Sequence, residues 1–147
     1  MRLTEYLKKT LRVEENTVAH AYQDHLGFWT IGVGHLVDKR KGAGLSPQVI
    51  ELQLDIDVQE KIDEVERALP WSKELDQVRF AALVLMAFQL GTSGLLGFKN
   101  MLLSLRYMRW KEAHDHALDS KWARQDTPAR AKRVATMLLV GTIYNNE

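Results

Sequence analysis

Three polar residues near the start of the chain have the types that glycoside chemistry asks for: Glu15, Asp24 and Thr30. Cleaving a glycosidic bond needs one carboxyl group kept protonated to donate to the leaving oxygen. It needs a second, ionised group to activate water or to steady the cationic sugar. A glutamate partly buried under a lobe interface has its pKa raised, whereas an aspartate on an open turn stays ionised. A threonine hydroxyl both donates and accepts, so Thr30 suits the holding of an attacking water. On residue types alone, a solvated helix end beside an Asx turn is the commoner explanation of such a pair of carboxylates. The elements that position them carry more weight.

Leu3, Tyr6, Leu7 and Leu11 recur at helical spacing, which predicts an amphipathic helix over about residues 2–13 and leaves Glu15 at its end. The pattern then shortens. Ala19–Tyr22, a turn over Gln23–Gly27 and Phe28–Gly34 read as a β-hairpin, with Asp24 and Gly27 supplying turn chemistry. Thr30 falls on the second strand. Lys39–Gly44 is a basic loop, and Ser46-Pro47 opens a long helix as N-cap and first helical proline. Ile50, Leu54, Val58, Ile62, Val65 and Leu69 keep one face of that helix apolar until Pro70 stops it. Phe80–Leu90 is apolar on nearly every side, the pattern of a helix at the centre of a bundle, and Gly91 ends it. Shorter helical patterns occupy about 93–107 and 109–119. Thr127-Pro128 caps and opens a last helix that ends near Gly141. The predicted class is α+β, mostly helical, in a single domain. A small β-hairpin lobe (about 14–45) is joined by a connecting helix (about 46–69) to a helical lobe (about 70–147 plus the helix 2–13).

Composition narrows the chemistry. A length of 147 residues fits one domain or two lobes sharing a core, and 46% apolar with 27% charged residues is ordinary for a soluble globular chain. The absence of cysteine excludes a disulfide framework, a thiol nucleophile and a Cys-based zinc site. His114 and His116, two apart on a predicted helix, point to different faces and are poorly placed to share an ion. Gly32-Val33-Gly34 lacks the rest of any phosphate-loop fingerprint. Neither a metal nor a cofactor is expected. No apolar run approaches the ~20 residues of a membrane span, so no membrane insertion is expected. The opening MRLTEYLKKTLRVEEN reads as neither signal peptide nor anchor, and a soluble cytoplasmic product is expected. The net charge of +1 hides a polarity: residues 1–98 carry 11 basic and 14 acidic side chains, residues 99–147 nine and five. Such asymmetry either steers an anionic polymer or reflects two solvated faces of opposite sign. The basic cluster Arg130, Lys132, Arg133 is too small for a nucleic-acid interface, and no nucleic-acid partner is expected.

The order of the residues goes further. Arg12-Val13-Glu14-Glu15, Ala21-Tyr22-Gln23-Asp24 and Gly27–His35 closely resemble the catalytic region of the T-even phage-type lysozyme (endolysin, muramidase) family, with its spacing from Glu to Asp to Thr. Phe88-Gln89-Leu90-Gly91, Gly97-Phe98 and Asn100 are similar to a second stretch of that family. Arg109-Trp110, Lys121-Trp122, Thr127-Pro128 and Arg130–Val134 are similar to a third, so the resemblance spans nearly the whole chain in order.

The resemblance implies a phage-lysozyme-like fold and cleavage of the β-1,4 bond between N-acetylmuramic acid and N-acetylglucosamine in peptidoglycan, with inversion. It assigns Glu15 as general acid, Asp24 as the residue that activates or positions water, and Thr30 as a helper in holding that water. Arg130 matches an arginine that pairs with the catalytic glutamate, and Tyr22 lies beneath the site. His35 and Asp57 match a structural ion pair. Leu36, Phe88, Gln89 and Lys121 match substrate-binding positions. The implied biology is a monomeric lytic enzyme that stays in the host bacterial cytoplasm until a holin gives access to the periplasm and the glycan strands of the cell wall. Two departures stand out. Asn16 replaces a glycine, and asparagine is the residue that best tolerates a left-handed backbone there. Only ten residues separate His35 from Ser46, fewer than in the T-even enzymes, which lowers one wall of the expected cleft. The competing readings are a lytic transglycosylase, for which Asp24 and Thr30 would lack a purpose, and an inactive wall-binding module.

Overall fold

A computed structural model describes residues 2–15, 18–23, 29–32, 35–36 and 46–141, with backbone course only between residues 15 and 36. The chain divides into two compact units, Arg2–Glu60 and Lys61–Glu147, the division falling inside the long helix.

In the first unit, helix α1 (Leu3–Glu15) forms where the leucine spacing predicts it, and Leu7 and Leu11 are fully buried. Helix α2 (Pro47–Ala68) starts at the predicted cap, where the Ser46 hydroxyl accepts from the Val49 amide at 3.3 Å. All six residues of its predicted apolar stripe, from Ile50 to Leu69, are buried. Pro70 ends it because proline has no N–H to continue the ladder. Between the two helices lie strands β1 (Val18–Gln23), β2 (Trp29–Gly32) and β3 (His35–Leu36), paired antiparallel in that order, with an irregularity between Val18 and Tyr22.

The expected fold class needs correction. Among the residues described with their side chains, 87% are helical and none is in a strand. The three strands are short stretches of backbone, and the turn that was to carry Asp24 lies outside the described residues. A hairpin lobe of about residues 14–45 is therefore not seen as a packed lobe, and the described protein is predominantly helical. The hairpin reading rested on β-propensity over two short runs, and propensity without a visible apolar face to bury is a weak guide.

Among the described residues of the second unit, every regular element is helical. A 3₁₀ turn (Pro70–Glu74) leads into α3 (Gln77–Leu96), whose residues 78–87 are buried on every side, as the uninterrupted apolar run requires. By length and hydropathy α3 alone, among the described residues, would suffice to cross a membrane, contrary to expectation; most of it is buried inside the protein, as a core helix is. Gly91 does not end this helix. Its dihedrals (φ 78°, ψ 158°) break the ladder, and helix resumes to Leu96. The single pattern expected over 93–107 is thus the tail of α3 and a separate α4 (Lys99–Arg106), followed by α5 (Trp110–Leu118), a one-turn π-helix (Trp122–Asp126) and α6 (Pro128–Val140). Helix α6 packs on α3 and α5, and α4 packs on α5.

Candidate functional site

Glu15 is the final residue of α1, preceded by Glu14. Two acids at this end oppose the helix dipole, whose negative pole lies there. Local conflicts of this kind are what functional sites tend to keep. The helix bearing them is held in place by charge pairs. Lys8 Nζ sits 2.7 Å from Glu51 and 2.8 Å from Asp55 on α2, and Arg12 pairs with the same Glu51. These ion pairs set the register of α1 against the first half of α2, and with it the position of residue 15. The side chain of Glu15, and Asp24 altogether, lie outside what is described.

The strand register brings three of the predicted residues together. Tyr22 pairs with Thr30, and Thr30 with Leu36, so the three form one row across β1, β2 and β3. Directly paired residues share a face of a sheet, so the predicted catalytic threonine, supporting tyrosine and substrate-binding leucine occupy the same one. His35 pairs with Ile31, one position along, and belongs to the opposite face. Asp57, its expected ion-pair partner, is half-buried on α2 and accepts from Gln53 Nε2 at 3.4 Å. The histidine's share of that pair falls outside the described residues.

In the second unit, Phe88 and Gln89 occupy the last turn of α3 before the Gly91 break, both half-buried. Gln89 is engaged at both ends of its amide. Its Oε1 accepts from Trp122 Nε1 at 3.0 Å, and its Nε2 donates to Thr127 Oγ1 at 3.1 Å. Phe98 closes edge-on against Trp122, with ring centroids 5.6 Å apart. This fixes the π-turn, where the Thr127 amide donates to Trp122 O at 2.9 Å. Thr127 was expected to cap α6 with its side chain; it holds the N-cap position, but its hydroxyl serves Gln89 instead. Gln89 thus acts as an internal brace, a role its expected place in a sugar cleft did not foretell. Lys121, just before the π-turn, is widely exposed, with Nζ 4.0 Å from Asp126. Arg130 is buried on α6, only 8% exposed. A buried guanidinium needs compensating acceptors or charge, so this arginine is not an ordinary surface cation.

Sequence reasoning missed two cavities of this unit, each of about 380 Å³. One is lined by Phe98, Lys99, Asp119 and Ser120, the other by Leu103, Tyr107, Arg109 and Glu112, and both take in Asn100 and His116. It also missed Arg79, which stacks on Trp110 and bonds to the end of α6. Among the described residues no group of three or more acidic or histidine side chains is placed to hold a metal ion.

Comparison with known proteins extends this picture. The model of a family described as phage lysozyme matches residues 12–137, which takes in every predicted site residue. Two proteins of Dictyostelium discoideum, named "Probable T4-type lysozyme 1" and "Probable T4-type lysozyme 2", are 27% and 28% identical to this chain, over 93% of it and 95% of each of them. The "Pre-baseplate central spike protein Gp5" of Enterobacteria phage T4 is 29% identical over 93% of this chain, a span that makes up 28% of Gp5. The first of these alignments runs to 165 positions against a chain of 147, so that relative carries segments this chain lacks.

Proposed function

We propose, from the premise that this chain belongs to the phage lysozyme family, that it is a peptidoglycan hydrolase cutting the β-1,4 bond between N-acetylmuramic acid and N-acetylglucosamine. The observation that carries the reading is the family match itself, continuous from residue 12 to residue 137 and so inclusive of Glu15, Asp24 and Thr30. Glu15 donates its proton to the glycosidic oxygen as the bond to the anomeric carbon breaks. Asp24 takes a proton from a water that attacks the opposite face of the sugar, and Thr30 holds that water. The product is inverted, which requires the carboxyls to stand ~6.5–9.5 Å apart, with room for the water between them. Wall glycan strands are the partner. In the lytic role the enzyme acts as a monomer, held in the host cytoplasm until a holin opens the way to the wall.

The test is mass spectrometry of purified peptidoglycan after digestion, with Glu15→Gln run beside the wild type. Fragments ending in a free reducing N-acetylmuramic acid, absent from the variant digest, are expected. Anhydro-muramic ends would move the enzyme to the lytic transglycosylases. Near-normal digestion by Glu15→Gln would remove Glu15 from its role, and a folded, wall-bound protein yielding no fragments would be a binding module.

A further inference from the structure

The end of α4 carries an apolar patch that the fold of this unit leaves uncovered. Helix α4 buries Met101, Leu102 and Leu105, whereas Leu103 and Tyr107, one turn apart and therefore neighbours on its surface, stay 57% and 62% exposed. Met108, the next residue, is 71% exposed, more than any other large apolar side chain among those described. It is also the one described non-glycine residue with a left-handed backbone (φ 59°), a costly conformation for a side chain of this size. Hydrogen bonds from Met108 N to Leu105 O at 3.0 Å and from Arg109 N to Ser104 O at 2.8 Å hold the turn. A strained turn thus keeps a flexible apolar side chain out in solvent, from which a lone molecule gains nothing.

Beside this knob lies a hollow of about 380 Å³, lined by Leu103, Tyr107, Arg109 and Glu112 but not by Met108. One patch therefore has a protruding apolar side chain, an adjoining hollow with an apolar wall, and one charge of each sign at its rim. A two-fold interface asks for this combination, because every feature must meet its complement on an identical surface. We infer that this face is a docking site for a second copy of the chain, with Met108 of each protomer seated in the hollow of the other. Within one copy Arg109 and Glu112 stand 3.8 Å apart and well exposed, a pairing of little worth in water. Across the two-fold axis Arg109 of each copy meets Glu112 of the other, in surroundings that Leu103, Tyr107 and Met108 make drier. Those three side chains leave on the order of 400 Å² open, as much as the largest patch on a typical monomer. With its rim the pair buries less than the ~1,200 Å² of a stable complex, so the association is weak and reversible. Glu112 at the rim disfavours an anionic bilayer as the occupant. The inference is independent of the hydrolase reading: dilution separates such a pair, and the monomer is left to act on the wall.

The test is sedimentation velocity of the full chain from about 5 to about 500 µM, since an interface this small should dissociate at about 10–100 µM. The sedimentation coefficient is expected to rise with concentration toward that of a dimer. Met108→Gly relieves the left-handed turn and should fold at least as well, yet it should weaken the association more than tenfold. Arg109→Glu and Glu112→Arg should each stay monomeric alone and associate when mixed one to one, a result that an ion pair within one chain cannot give. A wild type monomeric at every concentration, a Met108→Gly variant that associates as the wild type does, or a mixture that does not recover would overturn the interface. A monomeric wild type that binds vesicles of phosphatidylcholine and phosphatidylglycerol, and loses them in Met108→Gly, would overturn it in favour of a membrane.

Discussion

Arg79 joins three helices of the C-terminal unit through one guanidinium, and its contacts set what its loss should cost. The last four carbonyls of a helix have no partner within it. For α6 two of these, Leu138 O and Leu139 O, accept from Arg79 Nε and Nη2, each at 2.7 Å. Nη1 bonds to Asp76 Oδ1 at 3.0 Å, and the guanidinium carbon lies 3.8 Å from the centroid of the Trp110 ring. One residue thus joins the start of α3, the end of α6 and the start of α5. Replacing it with Met keeps the length and removes the guanidinium's polar contacts; two carbonyls of α6 lose this donor, while Asp76 keeps its bond from the Arg79 amide at 3.1 Å. Hydrogen bonds to a charged group contribute about 1.5–3 kcal/mol each, and breaking a buried ion pair costs about 3–5 kcal/mol. Because the contacts share one side chain they do not add, and a loss of about 3–5 kcal/mol is expected for Arg79→Met. At about 2–4 °C per kcal/mol for a chain of this size, the melting temperature should fall by about 6–20 °C. Arg79→Lys keeps the charge but not the planar fork, so it should recover less than half of that. Thermal unfolding followed by circular dichroism, with urea midpoints as a check, measures both. A lysine variant within about 1 kcal/mol of wild type would show that charge alone suffices and that the capping argument is wrong.

Three further outcomes follow from the same geometry and from the proposed chemistry. Gly141 has φ 58°, and a Cβ there would stand 2.6 Å from Arg79 Nη1. Gly141→Ala should therefore destabilise strongly in the wild type but much less when combined with Arg79→Met, and equal effects in the two backgrounds would rule out the clash. Gln89→Leu leaves the Trp122 indole N–H and the Thr127 hydroxyl without partners, at about 1–3 kcal/mol for each group that stays buried. A double-mutant cycle with Trp122→Phe should show coupling; unchanged stability with a raised KM would instead make Gln89 a sugar contact. In the reaction, Asp24→Asn should be severe and Thr30→Ala milder, with activity on walls falling as salt screens attraction to the basic C-terminal half. The reverse order of severity, or a flat salt profile, would reject those assignments.

What was legible in the sequence was whatever repeats along the chain. The stripe from Ile50 to Leu69 was read residue by residue because burial on a helix obeys a 3.6-residue period, and every member is buried. The Ser46 cap was legible for the same local reason, three residues deciding it. Thr127 shows where local grammar stops: it has the composition of a cap, yet its hydroxyl is taken by Gln89, 38 positions away. No window along the chain contains that competition. Gly91 was legible as a break but not as a kink, since whether helix resumes depends on what the following turn can pack against. There the Thr92 hydroxyl donates to Glu64 at 3.2 Å, another bond across distant sequence. The strand stretch was over-read, because alternation and β-branching show that a segment can extend, not that a packed lobe follows. Arg79 did leave a mark that went unused. It lies between Val78 and Phe80 at the start of the apolar run that forms the core helix, and a charge placed there must be answered by several acceptors. The sequence therefore announced that acceptors had to come from elsewhere in the fold. Only the three-dimensional arrangement could say that the end of α6, some sixty residues on, supplies them.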